Sequence, residues 1–177
     1  MSEEPTGNGP SVPPPTAPGP TQPQQYQLII NAQYIKDLSF ENPGAPNSLR
    51  QQQAQPAVEI NVDVKAQGLG PENYEVVLTV KANAKVQDET LFLVELAYGA
   101  VVTVRNVPQE LLSAVVLVET PRLIFPFARN IVAETTREGG FPPLMINPID
   151  FGELLRRNAT AAPPTVTAAA PTGTPSA

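Results

Sequence analysis

The sequence predicts an α+β domain, a four-stranded antiparallel meander sheet with helices packed on one face. Three observations carry that prediction. Apolar residues alternate at period two through four segments of the first two thirds of the chain, the mark of strands with one side in a core. After Pro108 the apolar spacing turns helical. Strands first and helices afterwards is the order of a sheet covered on one side.

The elements follow in order. Residues 1–25 hold eight prolines, and residues 158–177 are almost all Ala, Thr and Pro. Neither stretch carries enough apolar surface to offset chain entropy, so both read as disordered tails. Residues 26–157 lie between them, within the roughly 100–150 residues usual for one domain. Tyr26, Leu28, Ile30, Ala32 and Tyr34 open the first strand, and Ile35, Leu38 and Phe40 then shift its phase, which predicts a bulge near residues 34–36. Pro43, Gly44 and Pro46 end it. The polar, Gln-rich stretch 47–55 reads as a long exposed loop, of a kind often functional in compact domains.

Val58, Ile60, Val62 and Val64 alternate with Glu59, Asn61, Asp63 and Lys65 in a one-sided second strand. After a turn at 67–73, the third strand puts Tyr74, Val76, Leu78, Val80, Ala82, Ala84 and Val86 on one face. Gln87, Asp88 and Glu89 form a tight hairpin connection. The fourth strand, 90–104, is apolar on both faces apart from Glu95. Leu111, Leu112, Val115, Val116 and Val118 then fit a helix, with Pro108 at its start and Glu110 in its first turn. Pro121 and Pro126 predict a break or kink. A longer helix runs on to Glu138 and stops at Gly139 and Gly140. Residues 141–147 read as extended. Pro148 suits the first position of a last helix, with Ile149, Phe151, Leu154 and Leu155 on its apolar side.

Composition excludes much chemistry. The chain has no Cys, so it has no disulfide framework and no thiol nucleophile. With no His either, it has no Ser-His-Asp triad and no His-ligated metal. Eleven Lys and Arg against 17 Asp and Glu give a net charge of −6, which repels a phosphate backbone and argues against a nucleic-acid partner. The closest basic groups, Lys81 with Lys85 and Arg156 with Arg157, read as solvated faces. No segment has the ~20 consecutive apolar residues that span a bilayer. The N-terminal stretch carries acidic residues and prolines where a signal peptide needs a basic and then an apolar run. A cytoplasmic location without membrane insertion is the expectation.

No cofactor or metal site emerges from the motifs. Gly68 and Gly70 lack the third glycine and following helix of a phosphate loop and read as a turn. Asp88 and Glu89 read as solvated carboxylates of the hairpin. The alternative to a non-enzyme is a small α+β isomerase or lyase in which Asp37 acts as base beside Tyr34. A regular strand would put those two on opposite faces, and only a bulge would bring them together. The acidic residues Asp37, Glu41 and Glu95 suggest something else. Glu95 interrupts a doubly apolar strand, and a charge there must face solvent, since burial unpaired costs several kcal/mol, roughly. An apolar surface edged by carboxylates suits a basic, partly apolar protein segment.

Six stretches then point to one family. They are Tyr34-Ile-Lys-Asp-Leu-Ser-Phe-Glu-Asn-Pro-Gly-Ala-Pro46, Tyr74-Glu-Val-Val-Leu78, Glu89-Thr-Leu-Phe-Leu-Val-Glu95, Leu123-Ile-Phe-Pro-Phe-Ala-Arg129, Gly140-Phe-Pro-Pro-Leu144 and Asn147-Pro-Ile-Asp-Phe151. In that order over residues 26–157, the chain closely resembles the bacterial protein-export chaperone family SecB. The resemblance implies a homotetramer, a dimer of dimers, that binds unfolded secretory precursors without ATP and delivers them to SecA at the translocon. It implies a SecA-docking surface at Asp37, Glu41, Leu93 and Glu95, and tetramer assembly through Val94, Leu96 and Tyr98. It implies a peptide groove lined by Val58, Ile60 and Val62 with Phe151 and Leu155. Two features depart from the family pattern. The 47–55 loop carries no aromatic residue, and the C-terminal tail is nearly uncharged.

Overall fold

The computed structural model describes residues 26–50 and 55–161. Four strands, β1 (Gln27–Glu41), β2 (Ala57–Gly68), β3 (Asn73–Val86) and β4 (Glu89–Arg105), form one antiparallel sheet. The strand order is β1-β4-β3-β2. Only β2, β3 and β4 form the expected meander. β1 crosses over to pair with β4, so that β1 and β2 are the two edges. Where a strand alternates, the pattern fixes which face it buries but not its neighbour, and a full meander is the simplest order compatible with it.

Two bulges interrupt β1, between Ile30 and Ala32 and between Ile35 and Asp37. The second lies where the phase shift in the sequence put it. At the hairpin Val86 pairs with Glu89, leaving Gln87 and Asp88 as a two-residue turn with Gln87 at a φ of 54°. In the 47–55 stretch, Asn47–Leu49 make a 3-10 turn rather than open loop. Ser48 is buried there, its amide donating to the Gly44 carbonyl at 3.0 Å. Residues 51–54 fall outside the described residues.

The helical half corrects the sequence reading in two places. α1 (Gln109–Ala114), a π turn (Val115–Glu119) and α2 (Thr120–Glu138) are one continuous helix, despite Pro121 and Pro126. A wider turn just ahead of Pro121 takes up the missing amide. There the Thr120 hydroxyl donates to the Val115 carbonyl at 3.2 Å. This helix is long and apolar enough to cross a membrane by length and composition alone, but half of that window is buried inside the domain. It ends in a Schellman motif. Phe141 N donates to Thr136 O at 3.1 Å and Gly140 N to Arg137 O at 3.0 Å, with Gly140 at a φ of 89°.

α3 (Phe151–Ala161) begins three residues later than Pro148 suggested. Its N-cap is Asp150, whose Oδ1 accepts from Glu153 N at 2.9 Å. That bond holds the Asp150 carboxyl below its usual range. The helix runs four residues past the expected domain limit at 157, so 158–161 belong to the fold. The rest of the C-terminal tail, and residues 1–25, lie outside the described residues.

One face of the sheet carries the core. Val76, Leu78 and Val80 of β3 and Val94, Leu96 and Val102 of β4 are almost wholly buried against Val116, Ile124, Ala128 and Val132 of the long helix. Each such valine, leucine or isoleucine contributes about 1.5–3 kcal/mol by leaving water. Phe40, Phe92 and Phe141 cluster at one end, with centroids 4.9–6.4 Å apart. They close the core beneath the helix terminus: a Cβ on Gly139 would lie 2.2 Å from Phe40 Cζ.

Candidate functional site

The face of the sheet turned away from the helices is the open one, and its composition follows from the strand register. Directly opposed residues project to the same side. Asp37 pairs with Ala97, Ser39 with Glu95 and Glu41 with Leu93. Leu93, Glu95 and Ala97 alternate with Val94, Leu96 and Tyr98, which face the helices. The four residues Asp37, Glu41, Leu93 and Glu95 therefore share the open face at one end of the β1–β4 pair. The bulge after Ile35 makes this possible. Were Lys36 to take the ladder place opposite Ala97 instead of being left out, every later side chain of β1 would point the other way.

Within that patch Asp37 and Glu41 are exposed, and Leu93 is 36 % exposed. Glu95 is not a free charge. Lys81 Nζ, opposite it on β3, lies 2.7 Å from Glu95 Oε1, and both side chains stay about half in water. Lys81 read in sequence as a solvated residue. Its pairing depends on the β3–β4 register, which no local pattern specifies.

A second polar group sits further along the same face. The Tyr34 hydroxyl and Lys36 Nζ both reach Glu75 Oε1 on β3, the tyrosine crossing over β4 at Gly99 and the lysine at 2.7 Å. Lys36 and Tyr34 hold the Glu75 carboxyl below its ordinary range, while the bond to Glu75 pushes the Tyr34 hydroxyl up to about 12. Beyond it, Asn31 Nδ2 donates to Thr103 Oγ1, which donates to Asn73 Oδ1, each at 2.7 Å.

A pH dependence follows. Tyr34 titrates higher in the folded chain than its reference 10.0, so its contribution is complete below pH 10 and lost as pH rises through about 12. Glu75 titrates lower when folded, so its contribution is present above the ordinary carboxylate range and lost as acid protonates it. Tyr34→Phe should cost about 1–2 kcal/mol at pH 7. It should also flatten the stability loss between pH 10 and about 12. Urea midpoints measured across that range check both effects, and an unchanged alkaline limb would remove Tyr34 from it.

The bulge does bring Tyr34 and Asp37 to one face, as the enzyme alternative required. The chemistry does not follow. Tyr34 is engaged with Glu75, and Asp37 stands exposed on the sheet rather than in a cavity that would desolvate it.

The expected groove residues are divided by the structure. Val58 and Ile60, on the helix side of edge strand β2, are 38 % and 41 % exposed. Val62 and Leu155 are half-buried and pack against the core. Phe151 is 1 % exposed and meets Phe125 edge-on with centroids 5.9 Å apart, so it is a core residue rather than a lining one. The sequence put it on the apolar side of the last helix, and as the first residue of α3 it is the one driven deepest. The assembly residues also need correction. Val94, Leu96 and Tyr98 are 1 %, 0 % and 7 % exposed under the chain's own helices, and burial raises the Tyr98 hydroxyl. They are not a surface that a second copy could touch. Among the exposed apolar residues are Leu123 and Phe127 on the outer side of α2, with Met145 also exposed beside that helix. Their i, i+4 spacing was visible in the sequence, but the two prolines disguised the helix that presents it.

A family model described as preprotein translocase subunit SecB matches residues 21–162. The chain belongs to the SecB family. Protein-export protein SecB of Afipia carboxidovorans is 54% identical over 132 residues, 75% of this chain and 82% of that protein. Protein-export protein SecB of Parvibaculum lavamentivorans is 47% identical over 171 residues, 97% and 99% of the two chains. Among solved structures, a Mycobacterium tuberculosis SecB-like chaperone, in complex with a ChAD peptide from the HigA1 antitoxin, matches with a TM-score of 0.58. At 13% identity, covering 69% of this chain and 90% of that one, the match concerns the fold. SecB proteins are chaperones of protein export, and the sheet with its one-sided helical layer is a SecB fold.

Proposed function

We propose that this SecB-family chain holds unfolded secretory precursors without ATP in the cytoplasm, and passes them to SecA through the open face of its sheet. The observation that supports the reading most is the separation of two surfaces on one sheet. On the open side Glu41 lies opposite Leu93, Glu95 follows two residues along β4, and Asp37 stands further along, opposite Ala97. Exposed apolar side chains of Val58 and Ile60 lie on the helix side at the opposite edge. A client on the β2 edge and SecA on the acidic patch would not compete. Apolar side chains beside the free backbone of an edge strand suit extended chains of many sequences. No catalytic step is needed.

Assembly into a homotetramer, a dimer of dimers, would use the outer side of α2. Leu123 and Phe127 are half exposed there. Arg129 Nε is buried without an acceptor among the described residues, in a pocket shared with Met145. A second copy would cover the apolar pair and supply that acceptor.

Opposite charge guides SecA to the acidic patch, and Leu93 gives dry contact. Exposed ion pairs are worth only ~0–1 kcal/mol each, so single changes should weaken binding mildly. Asp37→Asn with Glu95→Gln should weaken it more than either alone, and salt should weaken the wild type. Lys81→Ala should act the other way and tighten binding, because it frees Glu95 from its 2.7 Å partner. Calorimetric titration against SecA at two salt concentrations, with capture of a denatured client as control, decides this. Salt-independent binding, or a double variant as tight as wild type, would take the acidic face out of the mechanism.

A further inference from the structure

We propose that Tyr34, Gly99 and Glu75 form a clamp that sets the phase of β1 at its second bulge, and so stand as positioning residues for Asp37 in the patch it shares with Glu41, Leu93 and Glu95; the part of this that concerns binding rests on the reading of that patch given above. The edge strand β1 has a partner on one side only, and a shift of one residue would reverse every side chain that follows. Its register jumps from Ile35 opposite Tyr98 to Asp37 opposite Ala97, which leaves Lys36 without a partner on β4. Something other than the ladder must hold that jump in place.

The clamp supplies it from two strands away. Tyr34, just before the jump, lays its ring across Gly99 of β4 and donates its hydroxyl to Glu75 of β3. Lys36, at the jump itself, reaches the same Glu75 oxygen at 2.7 Å. The Tyr34 ring can cross the middle strand because Gly99 has no side chain. A Cβ there would lie 2.7 Å from Cε2 and Cζ of Tyr34. Even alanine would expel the ring and separate the hydroxyl from Glu75. Phe40, packed against Phe92, holds the far end of β1. Between these anchors the one residue free to change is the one left out of the ladder. If the extra residue moved towards Phe40, Lys36 would face Ala97 and Asp37 would turn to the helix side.

The absence of cysteine makes the phase directly measurable. In the wild-type background, Asp37→Cys with Ala97→Cys should cross-link on oxidation, and Lys36→Cys with Ala97→Cys should not. Gly99→Ala should reverse the two yields. Tyr34→Ala, which removes the ring without adding bulk, should do the same and serves if the glycine variant fails to fold. In chains without added cysteines, both variants should bind SecA about fivefold more weakly, the scale of one lost exposed charge pair. Client capture should change less than about twofold, since the β2 edge is untouched. Rescue is expected from Tyr34→Phe, which keeps the ring over Gly99 and should retain more of the native cross-link than Tyr34→Ala. Unchanged cross-linking in both the glycine and alanine variants overturns the clamp, whatever SecA does. Reversed cross-linking with unaltered SecA affinity overturns the positioning role and, with an inert Asp37→Asn/Glu95→Gln chain, the acidic-patch reading as well.

Discussion

Leu96→Asp should unfold the protomer rather than divide an assembly into folded halves. Leu96 is 0 % exposed, opposed by Val80 on β3 and Leu38 on β1 and covered by the helices. Losing the leucine side chain costs about 2–5 kcal/mol through transfer and cavity terms. A carboxylate left there without a partner adds further kcal/mol, on the order of several. Together they reach the ~5–15 kcal/mol that holds a domain of this kind folded. Circular dichroism should show a chain with little fixed structure at 25 °C. The contrasting variant is Phe127→Asp, whose parent side chain is 52 % exposed on the outer side of α2. It should keep the wild-type spectrum and lower the mass found by light scattering. A folded Leu96→Asp chain of reduced mass would reverse the assignment, returning assembly to β4.

Phe151→Ala should be nearly as damaging, and it separates the core from the client surface. Phe151 is 1 % exposed and lies edge-on to Phe125 of the long helix, so its ring ties α3 to the rest of the domain. Large-to-small changes of buried aromatics cost about 3–5 kcal/mol. The loss should fall first on α3, whose amides would exchange at rates close to those of an unfolded segment. Leu155, half-buried on the same helix, should tolerate Ser with a loss of about 1–2 kcal/mol. Ile60→Ser, on the exposed edge, should leave stability unchanged and weaken client capture. If Phe151→Ala kept full stability while losing clients, the groove would include it after all.

Much of the fold was legible because strand alternation survives any neighbour. The buried even-numbered residues of β3, the bulge near Lys36, the Gln87–Asp88 turn and the Gly139–Gly140 stop all follow from local patterns. Pairing does not. Nothing local told β1 to leave β2 for β4, and nothing local matched Lys81 to Glu95. Helix continuity is hidden for a similar reason, because proline's local cost shows in the sequence while the π turn that absorbs it does not. The candidate site divided along the same line. The face of Asp37, Glu41, Leu93 and Glu95 could be reached from alternation plus one bulge. The burial of Val94, Leu96, Tyr98 and Phe151 depends on how completely the helices cover the sheet, which is a matter of tertiary packing.

The crossover of β1 to β4 also bears on how this chaperone itself comes into being. β2, β3 and β4 are joined by short turns and can zip together soon after each is made, whereas Gln27 finds Arg105 only across nearly the whole domain. Closing so long a loop before its contacts reward it is the slow part of forming a sheet. During synthesis β1 leaves the ribosome first and must wait for β4, its partner, to be finished. Its Ile29, Ile35 and Leu38 remain in water through that interval. For that time the nascent chain carries an unpaired apolar strand of its own, the condition in which its proposed clients arrive.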